Sequence, residues 1–337
     1  FNHHAFLAST AYNWQDQLLL LQTFLHHGRI LAAEVKKFRP GNHHTRGLVG
    51  LFEIAVCFPE FKESAQWRKL ALDGLMWHMK NEINNDGFQF ERSGHYHKGD
   101  IENFLRVYQL AKKNGIKLPK GYVEKFRSMF QSLVKLAMPN KAMPVLQDDT
   151  DGGSMIEAVI SEPMAVGAMI FKDPLFRYFS GDHPPESYYW LLSSDQIEQL
   201  NKLSGQTPEF DSVALKETGY YVMRDGWHKD NRYLLISAGL EKRKPDHQHG
   251  DMLGIIAYAG GSTFLTNYKV RYNREDFSYL KNSWAKNVAL VDSQLQGRGW
   301  KSNRGGSGFG KWKFLPEPKV SCWQVSDVLD YFSGQHN

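Results

Sequence analysis

The stretch Asp246-His247-Gln248-His249-Gly250-Asp251, continued by Met252-Leu253-Gly254-Ile255-Ile256-Ala257-Tyr258, sets the reading of the rest of the chain. Two histidines two residues apart on a strand, or on the approach to one, point the same way, because successive side chains alternate between faces. Such a pair suits a metal site or a proton-transfer site, and it equally suits a polar turn before a buried strand. Working outward, residues 219–225, 232–238, 252–258, 263–268, 287–291 and 319–325 are short β-prone runs separated by Gly- and charge-rich turns. That texture predicts an antiparallel β-sandwich over residues 205–337. The sandwich has fewer runs than a large one needs and its last run is left with an open edge, so the expectation is an incomplete domain. Residues 296–312, with Gly297, Gly299, Gly305, Gly306, Gly308 and Gly310, read as a flexible loop too irregular to cradle a phosphate.

Upstream, residues 1–204 carry helical spacing instead. Leu18, Leu21 and Leu25 keep it, and Leu48, Leu51, Phe52, Ala55 and Val56 form an apolar stripe that Pro59 stops. Further helices are predicted over 64–80, with Ser64 as cap, over 99–114 and over 121–138. Short polar breaks and no intervening strands describe helical hairpins stacked in an array or ring. The 337 residues thus divide into a helical domain, 1–204, and a β domain, 205–337, a multidomain α+β chain.

Composition narrows the function classes. A 42% hydrophobic and 23% charged chain has ample core, and no apolar run is long enough to span a membrane. Cys57 and Cys322 fall in different predicted domains, so a disulfide framework is not expected. A net charge of +5 with 14 histidines favours an anionic partner. Nucleic acid is not expected, for there is no zinc-finger spacing, basic helix or aromatic RNA motif, whereas an acidic polysaccharide fits the charge as well. The chain opens on Phe1 without a signal-peptide pattern, which reads as a removed leader or a fragment.

Two more clusters join the opening stretch. Gly41-Asn42-His43-His44-Thr45-Arg46 sits where a helix begins, with Asn42 a good cap, and Glu91-Arg92-Ser93-Gly94-His95-Tyr96-His97 precedes another helix. Loops at one rim of a helical array would bring Asn42, His43, Arg92 and Tyr96 together. The set lacks paired carboxylates for glycoside hydrolysis, a Gly-x-Ser-x-Gly elbow, and a Cys/His nucleophile. It offers cationic and neutral donors, a phenol and imidazoles, which suit stabilising an anion and moving protons.

These two clusters, the loop Asp148-Asp149-Thr150-Asp151-Gly152 and His247-x-His249-x-Asp251 together resemble the heparinase II/III family of polysaccharide lyases, in particular its heparinase III-like, heparan-sulfate-cleaving branch. The resemblance runs along nearly the whole chain. It implies an incomplete (α/α) toroid followed by an antiparallel β-sandwich, truncated at both ends, periplasmic or secreted localisation, and β-elimination on a uronate-containing acidic polysaccharide. Alginate or another uronate polymer is the alternative substrate, and a non-catalytic polysaccharide-binding relative the alternative class.

By the same resemblance, Asn42 and His43 bind the uronate carboxylate, so that the charge developing on it meets preplaced donors. Tyr96 protonates the leaving oxygen and also abstracts H5 where both lie on one face of the sugar, and His247 is the candidate base for the opposite epimer. Arg92, His97 and Tyr272 are assigned to substrate binding. His249 is the candidate ligand of a structural zinc, but the family's other ligand positions read here as Asn267 and Lys286. A protonated ammonium cannot ligate and an amide is a weak zinc ligand, so no metal or other cofactor is expected for catalysis.

Overall fold

The computed structural model describes residues 9–35, 37, 41–243, 245–272, 274–302 and 310–336. Helices dominate the first two hundred residues: Trp14–Glu34 (α1), Asn42–Cys57 (α2), Ser64–Asn81 (α3), Gly94–Lys113 (α4), Tyr122–Leu136 (α5), Ser161–Phe171 (α6), Pro174–Phe179 (α7) and Ser194–Lys202 (α8). Strands take over from residue 213. Contacts group the chain into two compact units, Phe1–Asn81 with Asn103–Val123, and Glu82–Glu102 with Glu124–Asn337.

In the first unit, α2 buries Leu48, Leu51, Phe52 and Ala55 along one face, the stripe that the spacing predicts. The helix ends at Cys57, with Phe58 as its cap, because the residue before Pro59 is driven out of helical geometry. At its start the expected cap is corrected. Gly41 holds that position with φ 116°, and Asn42 is the first helical residue. Ser64 likewise does not cap; its hydroxyl donates to the Phe58 carbonyl at 2.6 Å. α1 and α3 approach closely at Gly28, where a Cβ would sit 2.4 Å from Cζ3 of the buried Trp67.

The second unit is built on a five-stranded antiparallel meander: Val213–Leu215, Tyr220–Arg224, Tyr233–Ser237, Gly254–Ala259 and Ser262–Leu265. Both its faces are covered. On one, Tyr233 donates through its hydroxyl to the Leu136 carbonyl, and Arg224 donates to the Lys135 and Ala137 carbonyls at the end of α5. On the other, Tyr221, Ile236 and Ala238 pack against Val320, Trp323 and Phe332 of a second sheet, the hairpin of Pro318–Gln324 and Tyr331–His336. Two packed antiparallel sheets are the sandwich that the sequence predicts. Phe126, Phe130, Phe171 and Phe176 form an aromatic core among α5, α6 and α7.

Of the predicted strands, 287–291 does not form one. Instead the Asn287 amide donates to the Ile255 and Thr266 carbonyls, tying an irregular segment to the sheet. The predicted glycine loop at 296–312 lies partly outside the described residues. Its described ends pair as Lys301–Ser302 with Gly310–Lys311. A further two-residue pairing, Met143–Pro144 with Glu157–Ala158, brackets the loop that carries Asp148 and Asp151.

Candidate active site

The two histidines of the opening stretch do share a direction, and what they share it toward is one carboxylate. His247 ends a short 3-10 turn and His249 follows it, both ahead of the strand that begins at Gly254. Nδ1 of His247 lies 2.9 Å from Asp148 Oδ2, and Nε2 of His249 lies 2.8 Å from Asp148 Oδ1. Gln147 sets this up. It adopts the left-handed φ of 52°, and its side chain accepts from the His249 backbone N–H and donates to Asp251. Lys281, at the end of the short helix Phe277–Leu280 (α9), donates to Asp148 Oδ2 at 3.0 Å and to the Asp246 carbonyl at 2.8 Å.

Asp148 is fully buried, which by itself would raise its pKa. The Lys281 ammonium and the hydrogen bonds from both histidines outweigh that and hold the carboxyl well below the usual range. Burial depresses Lys281 in turn, and Asp148 pulls it back. The pair is a buried carboxylate–ammonium contact satisfied by further donors, the arrangement under which such a pair persists without water.

Tyr96 stands in the first turn of α4 with its ring stacked on the His247 imidazole, centroids 4.0 Å apart. Its hydroxyl lies 3.0 Å from that of Tyr272, which reaches Asp148 Oδ2 at 3.4 Å. Burial first, then the Asp148 charge and the Tyr96 neighbour, push the Tyr272 phenol far up, so Tyr272 keeps its proton. Beside Tyr96, His95 and Lys98 both contact Asp151. Burial would raise that carboxyl, and these two partners hold it well below the ordinary range. The buried Glu91 places Oε1 3.5 Å from Nε2 of His247. A phenol, an imidazole and a second phenol therefore meet over one charge-compensated carboxylate, with Tyr272 half-buried and His95 partly exposed at the rim.

Three sequence-based assignments are corrected. Arg92 is 2% exposed, and its guanidinium donates to the Thr218 carbonyl, Gln248 Oε1 and Ser237 Oγ while lying over the Tyr220 ring. Its donors fasten the sheet to the Glu91–His97 segment, so it is not presented to a substrate. His97 is fully buried, stacked on Phe88 at 4.2 Å, with Nδ1 accepting from the Gln89 N–H and Nε2 against the Met129 carbonyl. Burial pushes its pKa down to about 4, as for a neutral core histidine rather than a substrate contact. At the metal position, Lys286 donates to Asn267 Oδ1, the amide oxygen that would have to ligate. His249 is depressed to about 3 by burial and by Lys286, and its Nε2 is taken by Asp148. This donor set does not fit zinc, and among the described residues no group of three or more His, Cys, Asp or Glu side chains is arranged to hold a metal.

Asn42 and His43 open α2 in the first unit, Asn42 partly exposed and His43 exposed. Tyr96, His247 and Tyr272 come together in the second. The sequence reading missed the roles of Asp148, Lys281 and Glu91. The acidic run Asp148-Asp149-Thr150-Asp151 was a visible signal for the first, and Lys281 carries none, since its partner is 133 residues away.

The family model for the heparinase II/III N-terminus matches residues 1–168. A heparin-sulfate lyase of Pedobacter heparinus is 28% identical over 243 residues, which is 67% of this chain and 33% of that protein. Another, from Bacteroides thetaiotaomicron, is 24% identical over 181 residues, 53% of this chain and 24% of its own. The chain thus spans a third or less of the length of these relatives. Among solved structures, the heparan sulfate lyase of Pedobacter heparinus superposes with a TM-score of 0.67 at 21% identity over 98% of this chain and 46% of that one. A heparinase III structure gives 0.70 at 19% identity over 94% and 44%. At these identities the superpositions establish the fold: helical toroid and antiparallel β-sandwich.

Proposed function

The chain belongs, through its first 168 residues, to the heparinase II/III family, and on that premise we propose that it acts in eliminative cleavage of a uronate-containing acidic polysaccharide, heparan sulfate before others. The observation that carries this reading is the Tyr96 hydroxyl, bonded to Tyr272 at 3.0 Å and stacked by its ring on His247 at 4.0 Å. The relatives named as heparin-sulfate lyases supply the substrate class.

In β-elimination the proton leaves C5 of the uronate, the C4–O4 bond breaks, a C4–C5 double bond forms, and the leaving oxygen takes up a proton. A phenol is protonated at neutral pH and is a fair acid, so Tyr96 is assigned the proton delivered to O4. His247 is assigned the removal of H5, since imidazole is the side chain whose ordinary titration suits proton transfer near neutrality. Tyr272, which keeps its proton, stands beside Tyr96 with the two hydroxyls 3.0 Å apart. For the first unit, the carboxylate-binding role of Asn42 and His43 is part of the same proposal, as is periplasmic or secreted localisation.

The test is incubation with heparan sulfate, chondroitin sulfate, hyaluronan and alginate while following the ultraviolet absorbance of the unsaturated uronate. Rising absorbance on heparan sulfate is expected. A flat trace on all four polymers, with the protein retained on a heparin column, would replace the enzyme by a polysaccharide-binding protein.

A further inference from the structure

Four donors converge on the two oxygens of one buried side chain. Asp148 Oδ1 receives His249 Nε2 at 2.8 Å, and Oδ2 receives His247 Nδ1 at 2.9 Å, Lys281 Nζ at 3.0 Å and the Tyr272 hydroxyl at 3.4 Å. An ionised carboxylate only accepts, so every atom that bonds it has to carry a hydrogen. We propose that Asp148, compensated by Lys281, is the positioning residue of this site: it fixes His247 with its hydrogen on Nδ1 and holds Tyr272 so that the Tyr272 oxygen receives the Tyr96 hydroxyl. The inference rests on the proton-transfer roles given above to His247 and Tyr96.

Each part follows from bonding capacity. Tyr272 has one hydroxyl hydrogen. With that hydrogen on Asp148, its oxygen accepts from Tyr96, 3.0 Å away, which orients the Tyr96 hydroxyl. With Nδ1–H of His247 committed to Asp148, a proton taken up by the ring goes to Nε2. There the imidazolium meets a second carboxylate, Glu91 Oε1 at 3.5 Å, so both ring nitrogens face negative groups in the charged state. His249 shares the carboxylate through Nε2–H, which leaves its buried Nδ1 without a hydrogen-bond partner. A bare ring nitrogen is the outcome expected when the single hydrogen of a neutral imidazole is spent on Asp148. Lys281 is fully buried over the Phe277 and Trp300 rings, and its second bond goes to the Asp246 carbonyl, one residue before His247. It therefore compensates the carboxylate and anchors the turn that presents His247.

The test reads the tautomer directly. In the chain labelled with 15N-histidine, His247 is assigned by loss of its signals in His247→Gln. Its spectrum is expected to show hydrogen on Nδ1 in the parent and to change in Asp148→Asn, because an amide nitrogen facing Nδ1 cannot accept. Where heparan sulfate is turned over, Asp148→Asn is expected to lower kcat about 10²-fold or more with KM within about threefold, the split that a misplaced proton-transfer group produces. A parent His247 with hydrogen on Nε2 only, or a tautomer and kcat unchanged in Asp148→Asn, overturns the proposal. Should Asp148→Asn fail to fold, the double variant Asp148→Asn/Lys281→Met removes both charges of the pair and serves in its place. If no polymer is cleaved, the enzymatic reading fails, while the parent tautomer still decides the positioning role.

Discussion

At the residue scale, substitutions separate groups that face the chemistry from groups that hold the frame. Tyr96→Phe keeps the ring stacked on His247 and deletes only the hydroxyl bonded to Tyr272. Loss of a general acid costs about 10²–10⁴-fold in rate, so kcat on heparan sulfate is expected to fall by that range while the melting temperature stays within a few degrees. Full activity in the ultraviolet assay would remove the phenol from the mechanism. Arg92→Lys is expected to behave in the opposite way. A lysine cannot reproduce three fixed donors, and at least one of Gln248, Ser237 and the Thr218 carbonyl loses its bond to residue 92. That costs about 1–3 kcal/mol in urea unfolding and leaves KM unchanged. A raised KM with unaltered stability would return Arg92 to the substrate. Tyr96 and His247 were legible in the sequence because their motifs name the chemistry. Arg92 and His97 were misread from the same block, since a motif shows which residues are near in sequence and says nothing of which are buried.

At the scale of elements, helices were the more legible part, because a 3.6-residue stripe such as Leu48–Leu51–Phe52–Ala55 is a long signal. Strands at 220–224 and 233–237 were found because both sheet faces are covered and the runs are nearly all apolar. Val213–Leu215 and Tyr331–His336 were missed: the first is only three residues long, and the second, with Gly334 inside it and only Tyr331 and Gln335 exposed, has no clean alternation. Residues 287–291 look like a strand, but the segment is tied to the sheet at Asn287, whose carbonyl accepts from the Ile255 N–H while its side chain donates to the Ile255 and Thr266 carbonyls. Close helix approach at Gly28 was not legible at all, since it depends on Trp67 in another helix. There, Gly28→Ala places a Cβ 2.4 Å from the Trp67 ring, which has to move. Overpacking of this kind costs about 1–3 kcal/mol, and a lowered thermal midpoint with altered tryptophan fluorescence is expected. A midpoint equal to the parent's would show that the two helices have room to separate.

At the scale of the whole molecule, the buried titratable groups set how stability responds to acid. Burial lowers His97 to about 4 and, together with Lys286, His249 to about 3, against about 6.5 for histidine in an unfolded chain. Below pH 6.5 the unfolded chain therefore binds protons that the folded chain refuses, and stability falls as the pH drops toward those folded values. Asp148 acts with the same sign lower down. Its carboxyl is held well below the ordinary range, so the stability it contributes is present above about pH 4 and lost as the pH falls toward its folded value. The three groups share one direction, and each histidine is worth on the order of a few kcal/mol when fully titrated. Urea midpoints are expected to be level between pH 8 and 7 as far as these groups are concerned, and to decline steadily from pH 6.5 to 4.5. His97→Gln, which cannot be protonated, should flatten part of that decline even though it lowers the midpoint at pH 7. A decline of equal steepness in His97→Gln would mean that His97 is not kept neutral by its place between Phe88 and the Met129 carbonyl.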